Sequence, residues 1–228
     1  MRYALIVIAV LMIAGCAVAD DIVTMPTANT MKAGQVDVAA YYLKLDTPGN
    51  QPQHVNYETV YVGLTDRLEL DAHIAAVDKD RTSTVLVGSV KLLAETQKLP
   101  DLVIGCRNLL GEQTTNNPAL AGKSEDRSYF VSAAKTFFMN PNQPGPPLVR
   151  AHLSLGTADW TLLGEKRHQG VFGGLQFLFR PDIGAIVEND GQDTITGLAF
   201  MPKNTGLTIK GGTFGDHWWA GLALRKEL

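Results

Sequence analysis

The sequence predicts a transmembrane β-barrel of about twelve antiparallel strands. Three observations carry the prediction: runs of alternating apolar and polar residues, run lengths of about ten residues, and connections that are short and long by turns. Side chains alternate across a strand, so each alternating run has one apolar and one polar face. Ten residues at roughly 3.3 Å each, tilted by about 40°, rise about 25 Å, the height of an outer-membrane apolar band. Strands of soluble proteins are shorter, about five or six residues.

The chain has 228 residues, a formal net charge of −3 and 45% hydrophobic residues. That suits one all-β domain and gives no electrostatic reason to expect nucleic acid. The mean hydropathy of +0.01 argues against a bundle of membrane helices but not against a barrel, whose strands are half apolar.

Residues 1–19 read as a signal peptide and 20–228 as a single barrel domain. Arg2 gives the positive start, and Ala4 to Ile13 the apolar stretch, which is too short to span a bilayer as a helix. Two cleavage sites overlap. Ala17-Val18-Ala19 is an A-x-A site, and Ile13-Ala14-Gly15-Cys16 resembles a lipobox that would lipidate Cys16. The first is favoured, since an integral barrel needs no acyl anchor. Cleavage there leaves one cysteine, Cys106, and no intrachain disulfide. Strand parity puts Cys106 on the apolar face with Leu102 and Ile104, as a small hydrophobe rather than a reactive thiol.

After a polar lead-in containing Met25-Pro26-Thr27-Ala28, Gly, Pro, Asn and Asp clusters divide the chain into twelve runs. They are Gln35 to Leu45, Val55 to Leu64, Arg67 to Val77, Ser83 to Leu93, Leu102 to Leu109, Ser128 to Phe138, Val149 to Gly156, Gly170 to Arg180, Ile183 to Glu188, Thr194 to Met201, Thr205 to Gly211 and Asp216 to Leu224. The third sorts well: Leu68, Leu70, Ala72, Ile74 and Ala76 oppose Arg67, Glu69, Asp71 and His73. In the seventh, Ala151, Leu153 and Leu155 oppose Arg150, His152 and Ser154. In the eighth, Val171, Gly173, Leu175, Phe177 and Phe179 oppose Gln176 and Arg180. In the last, Trp218, Ala220, Leu222 and Leu224 oppose Trp219. The second, sixth and tenth runs do not sort by parity.

Alternation alone does not choose between a soluble barrel with its apolar face inside and a membrane barrel with that face outside. Run length and the aromatics near strand ends (Tyr41, Tyr42, Tyr57, Phe137, Phe138, Phe179 and Trp218, as in an interfacial girdle) favour the membrane. An even strand count puts the short turns at Thr65-Asp66 and Pro181-Asp182 on the periplasmic side. The long connections Leu110 to Arg127 and Thr157 to Gln169 then lie outside. The Pro-rich Met139 to Leu148 departs from this asymmetry, and Arg225-Lys226-Glu227-Leu228 lacks a terminal aromatic.

Pieces of the first half resemble the exopolysaccharide-associated, YjbH-like outer-membrane barrels. These are Met25-Pro26-Thr27-Ala28 followed by Lys32-Ala33-Gly34-Gln35, the hairpin Val62-Gly63-Leu64-Thr65-Asp66-Arg67-Leu68-Glu69-Leu70, and Leu102-Val103-Ile104-Gly105-Cys106-Arg107-Asn108-Leu109. The resemblance implies a non-enzymatic envelope protein linked to polysaccharide, with membrane lipid around it and a saccharide or small solute as partner. No cofactor is implied.

Arg67, Glu69, Asp71, His73, Lys91, Arg107, Arg150, His152, Arg180, Glu188 and Lys210 form a mixed-sign set on the expected lumen face. Such a set fills an interior with salt bridges and hydrogen bonds, or lines a pore. His152-Leu153-Ser154 resembles the His-x-Ser pair of outer-membrane phospholipase A, and i, i+2 spacing puts both side chains on one face. It departs from that pattern in continuing Leu155-Gly156 and in sharing the lumen-side parity of Arg150. A lipid hydrolase is therefore the alternative activity, and a periplasmic soluble or lipid-anchored barrel binding an apolar ligand the alternative architecture. Asn189-Asp190-Gly191-Gln192-Asp193 lacks the length and closing Glu of a calcium loop and reads as a hairpin turn. His217-Trp218-Trp219 reads as an interface anchor rather than a sugar-stacking platform. No metal site, phosphate loop or dinucleotide fingerprint is present in the sequence.

Overall fold

In the computed structural model, residues 26–46, 52–77, 81–111, 114–115, 127–140, 145–157, 159–160 and 166–228 are described. Twelve long strands follow one another around the barrel: β1 (Gln35–Asp46), β2 (Pro52–Gly63), β3 (Leu68–Val77), β4 (Arg81–Leu93), β5 (Asp101–Arg107), β6 (Ser128–Phe138), β7 (Leu148–Gly156), β8 (Gly170–Arg180), β9 (Ile183–Asn189), β10 (Thr194–Phe200), β11 (Leu207–Phe214) and β12 (His217–Glu227). Each pairs antiparallel with its sequence neighbours, and β12 closes the cylinder on β1 from Gln35↔Glu227 to Leu43↔Trp219. Closure removes the unpaired sheet edges that lipid would leave unsatisfied. Two-residue strands add a short pairing of Thr114–Thr115 on β4 and a small ladder between Asp159–Trp160 and Lys166–Arg167.

All twelve predicted runs are strands, with ends shifted by up to three residues. The signal segment 1–19 with Cys16, and Met25 of the lead-in, lie outside the described residues.

The faces divide as a membrane barrel requires. Leu153, Leu155, Val171, Leu198 and Leu222 are 53–66% exposed on the outer wall, while Glu69, Asp71, His73, Arg107, His152, Glu188 and Lys210 are buried inside. The soluble alternative needs the reverse arrangement. Trp218 stacks on Tyr42 at 5.0 Å on the outer wall near one rim, and Phe137, Phe179 and Phe200 are exposed towards the other. Tyr41 and Tyr57, expected in the girdle, instead face inward at 5% and 7% exposure, because their parity matches Asp37 and Thr59. Trp219 also departs from the anchor reading. It is 1% exposed, and its indole N–H donates to the Thr196 carbonyl at 3.0 Å.

The inward aromatics are accommodated by inward glycines. A Cβ on Gly197 would lie 2.5 Å from the Trp219 ring, and one on Gly221 would lie 2.2 Å from Tyr41. Phe130, Phe172 and Phe214 are likewise buried inside. Much of the lumen is thus a packed core, dense enough that one added methyl is felt.

Candidate functional site

The lumen is occupied by the chain itself. Residues 26–34 precede β1 and turn into the barrel from the end where Gln35 and Glu227 meet. The Gly34 N–H donates to the Gly63 carbonyl at 3.0 Å. Gly63, the last residue of β2, is where the segment passes over the rim: a Cβ there would lie 2.0 Å from the Lys32 carbonyl oxygen, so only glycine leaves room. Beyond it, Met31, Ala28 and Thr27 are 1%, 0% and 5% exposed.

Side chains of the wall hold this segment at several points. The Met31 N–H donates to Glu69 Oε2 at 2.6 Å. Arg150 Nε donates to Asn29 Oδ1 at 2.9 Å. The hydroxyls of Ser132 and Ser154, 2.7 Å apart on β6 and β7, reach the Pro26 carbonyl at 3.2 and 3.3 Å. A buried backbone group must find a partner, and here the wall supplies it.

Arg150 is also the centre of an ion cluster. It donates to Glu95 Oε2 at 2.5 Å, to Asp101 Oδ2 at 2.6 Å and to the Thr136 hydroxyl at 2.8 Å. Glu95 comes from the 94–100 turn, which folds back because its own N–H donates to Asp101 Oδ1 at 2.7 Å. Burial works against the Glu95 charge. The Thr136 backbone N–H and hydroxyl and the Arg150 guanidinium outweigh it and hold the carboxyl below its ordinary value. Lys91 and Lys135 add contacts of 3.8 Å to Asp101 and 3.4 Å to Glu95.

A second polar group lines the opposite wall. The Tyr57 hydroxyl is hydrogen-bonded to Nδ1 of His73, and the Tyr61 ring meets His73 edge-on at 5.5 Å. The Ser89 hydroxyl donates to Glu69 Oε1 at 3.3 Å. Tyr61, Glu69, His73 and Ser89, with Asp71 and Arg107, border a void of about 20 Å³ against Pro26 and Asn29. Little space therefore separates segment and wall on this side.

The other side is open. A cavity of about 230 Å³ lies between Arg150, Gln176, Ile186, Ala199, Thr208 and Lys210, towards the same end of the barrel as Gln35 and Glu227. The Lys210 ammonium lies 5.7 Å from the centre of the Tyr41 ring. Towards the far mouth, Arg167 sits 5.0 Å above the Phe214 ring, ion-paired with Asp190 at 2.5 Å and Asp193 at 2.9 Å. His168 beside it packs on Phe172 at 5.2 Å.

Of the eleven residues marked in the sequence, Glu69, Asp71, His73, Lys91, Arg107, Arg150, His152, Glu188 and Lys210 point inward. Arg67 does not: β3 begins one residue later, and Arg67 is exposed in the turn. Nor does Arg180, which lies past a register shift between Leu178 and itself and pairs with Asp182 at 3.0 Å on the rim. The hydrolase pair is not assembled. His152 Nε2 meets Gln176 Oε1 at 3.4 Å, while the Ser154 hydroxyl is taken by Ser132 and Pro26. Asn29, Glu95, Asp101, Ser132 and Arg167 carry no mark in the sequence, and Asp190 reads there only as part of a hairpin turn. They lie in connections, or on a run whose faces parity did not sort.

No protein-family model and no curated protein sequence matches the chain. Among solved structures it is similar to the KdgM porin, with a TM-score of 0.50 and 8% identity over 85% of this chain and 99% of that one. KdgM porin in complex with disordered oligogalacturonate gives 0.49 and 8% over the same shares. The N-terminal β-barrel domain of Pseudomonas aeruginosa OprF gives 0.26 and 13%, over 86% and 98%. At such identities the likeness to the first is one of fold: a closed, antiparallel, porin-like barrel.

Proposed function

We propose that this chain is a non-enzymatic outer-membrane barrel of porin-like function, held shut by its own residues 26–31, and that it passes small polar solutes when that segment withdraws. The observation that carries the reading is the match between wall and segment. Two serine hydroxyls, a guanidinium and a carboxylate meet a carbonyl, an amide oxygen and an N–H along one extended stretch. With the segment out, the same alternating donors and acceptors face the solute. Hydroxylated solutes use such groups, which supports the saccharide link that the YjbH-like resemblance implies, although no family model matches. The inward charges and outward apolar wall support membrane insertion, since lipid-facing charge is costly and lumen charge is tolerated.

The test is sugar efflux from vesicles containing the purified protein, with membrane insertion verified by a band that shifts on boiling. Wild type should release a neutral disaccharide slowly. A chain lacking residues 26–31 should release it at least tenfold faster. Equal background efflux from both inserted proteins would overturn the transport reading.

A further inference from the structure

The exterior wall carries one anomaly. At mid-strand on β2, Asn56 and Glu58 point outward and are exposed. Neither has a hydrogen-bond or ion-pair partner among the described residues. Around the rest of the described wall, mid-strand outward positions hold apolar, small or Thr side chains. Lys135 is different again: it reaches the rim, and its ammonium is held by the carbonyls of Thr96, Gln97 and Leu99.

Beside Glu58 the wall is indented. Ala40 and Ala220 lie between Tyr42 and Leu222, leaving a groove of about 380 Å³ that Asn56 and Glu58 border. Register places Glu58 opposite Ala40 on one side and Ile74 on the other, so no neighbouring strand offers it a donor. Hydrocarbon tails offer none either. An ionisable residue facing the membrane interior without a partner among the described residues marks a functional contact by default.

We infer that this face is a barrel–barrel interface, and that its occupant is a second copy of the chain. Copies inserted with one orientation hold each residue at its partner's depth, with Asn56 and Glu58 offset by about 5 Å along the normal, a span their two side chains can bridge. A twofold axis along the membrane normal then brings the amide N–H of one copy to the carboxyl of the other, and the reverse. An isologous contact needs a patch that is its own complement, and a donor and an acceptor two residues apart on one face provide it. The small side chains of Ala40 and Ala220 let the two walls approach closely. The inference rests on the membrane reading but not on solute passage.

The experiment measures self-association in detergent by sedimentation, and in vesicles by disulfide cross-linking in a Cys106→Ser background. Wild type should be dimeric, and Ala40→Cys should cross-link copy to copy. Leu153→Cys, on the far side of the wall, should not. Glu58→Leu should weaken the dimer at least tenfold while keeping the band that shifts on boiling, because it places an apolar group in lipid. Glu58→Gln, still able to hydrogen-bond Asn56, should remain dimeric. A monomeric wild type, an unchanged Glu58→Leu dimer, or equal cross-linking at Leu153→Cys would overturn the interface. A soluble protein without the boiling shift would overturn the membrane reading as well.

Discussion

Arg150 on β7 donates its Nε to the side chain of Asn29 at 2.9 Å, across a sequence separation of 121 residues. The same guanidinium holds Glu95 and Asp101. One side chain therefore ties the wall, the 94–100 turn and the inserted segment together. Arg150→Ala would leave Glu95 and Asp101 with only the longer Lys135 and Lys91 contacts, at 3.4 and 3.8 Å. For buried pairs such a loss costs about 3–5 kcal/mol. Here the Glu95 side chain keeps 22% exposure, so roughly 2–3 kcal/mol is expected, read as a lower urea midpoint in detergent. Vesicle efflux should rise in the same variant.

Acid should loosen the same corner. The Glu95 carboxyl is held below its ordinary value, so the folded state binds fewer protons there than the unfolded state. Its stabilisation is fully present above the unfolded carboxylate range, about pH 4.3, and is lost as pH falls through the lowered folded value. Unfolding midpoints measured between pH 3 and pH 7 should fall at the acid end. Glu95→Gln should flatten that fall, and an unchanged slope would exclude Glu95 as its source.

Gly197 makes room for Trp219. Gly197→Ala would put a methyl 2.5 Å from the indole and force it to move. Overpacking of this kind costs about 1–3 kcal/mol. The shifted indole should also lose its bond to the Thr196 carbonyl, so the tryptophan emission maximum should change. An unaltered spectrum and midpoint would show that the ring has slack.

At the far mouth, Arg167→Ala would leave Asp190 uncompensated at 0% exposure. A loss of about 3–5 kcal/mol is expected from thermal or urea unfolding. Arg167→Lys should recover part of it as a point charge, without the paired geometry of the guanidinium.

Ser154→Ala should leave phospholipid turnover at background, because the hydroxyl bonds Pro26 and Ser132 rather than a base. A drop in lipid cleavage on this substitution would restore the hydrolase alternative.

The strands were legible because period-two alternation is imposed by the wall itself: one face meets lipid, the other the interior. Glu69, Asp71 and His73 could be placed inward from Leu68, Leu70 and Ala72 alone. The interior filling was not legible. Nothing local in Pro26-Thr27-Ala28-Asn29 marks it for burial, since its partners Glu69, Ser132, Ser154 and Arg150 lie far away in sequence. Arg180 failed because a bulge breaks parity, and Tyr41 and Tyr57 because an aromatic near a strand end fits a girdle or a lumen equally well. Glu58 went unmarked because the second run did not sort, and an outward carboxylate is what blurs it.

The most direct measurement is single-channel recording in planar bilayers, comparing the chain with the same chain lacking residues 26–31. Mostly closed behaviour with rare openings is expected for the first, and a stable open level for the second. Identical open levels would mean that the segment does not close the lumen. Silence from both, with insertion verified, would mean that the packed interior is not a path at all.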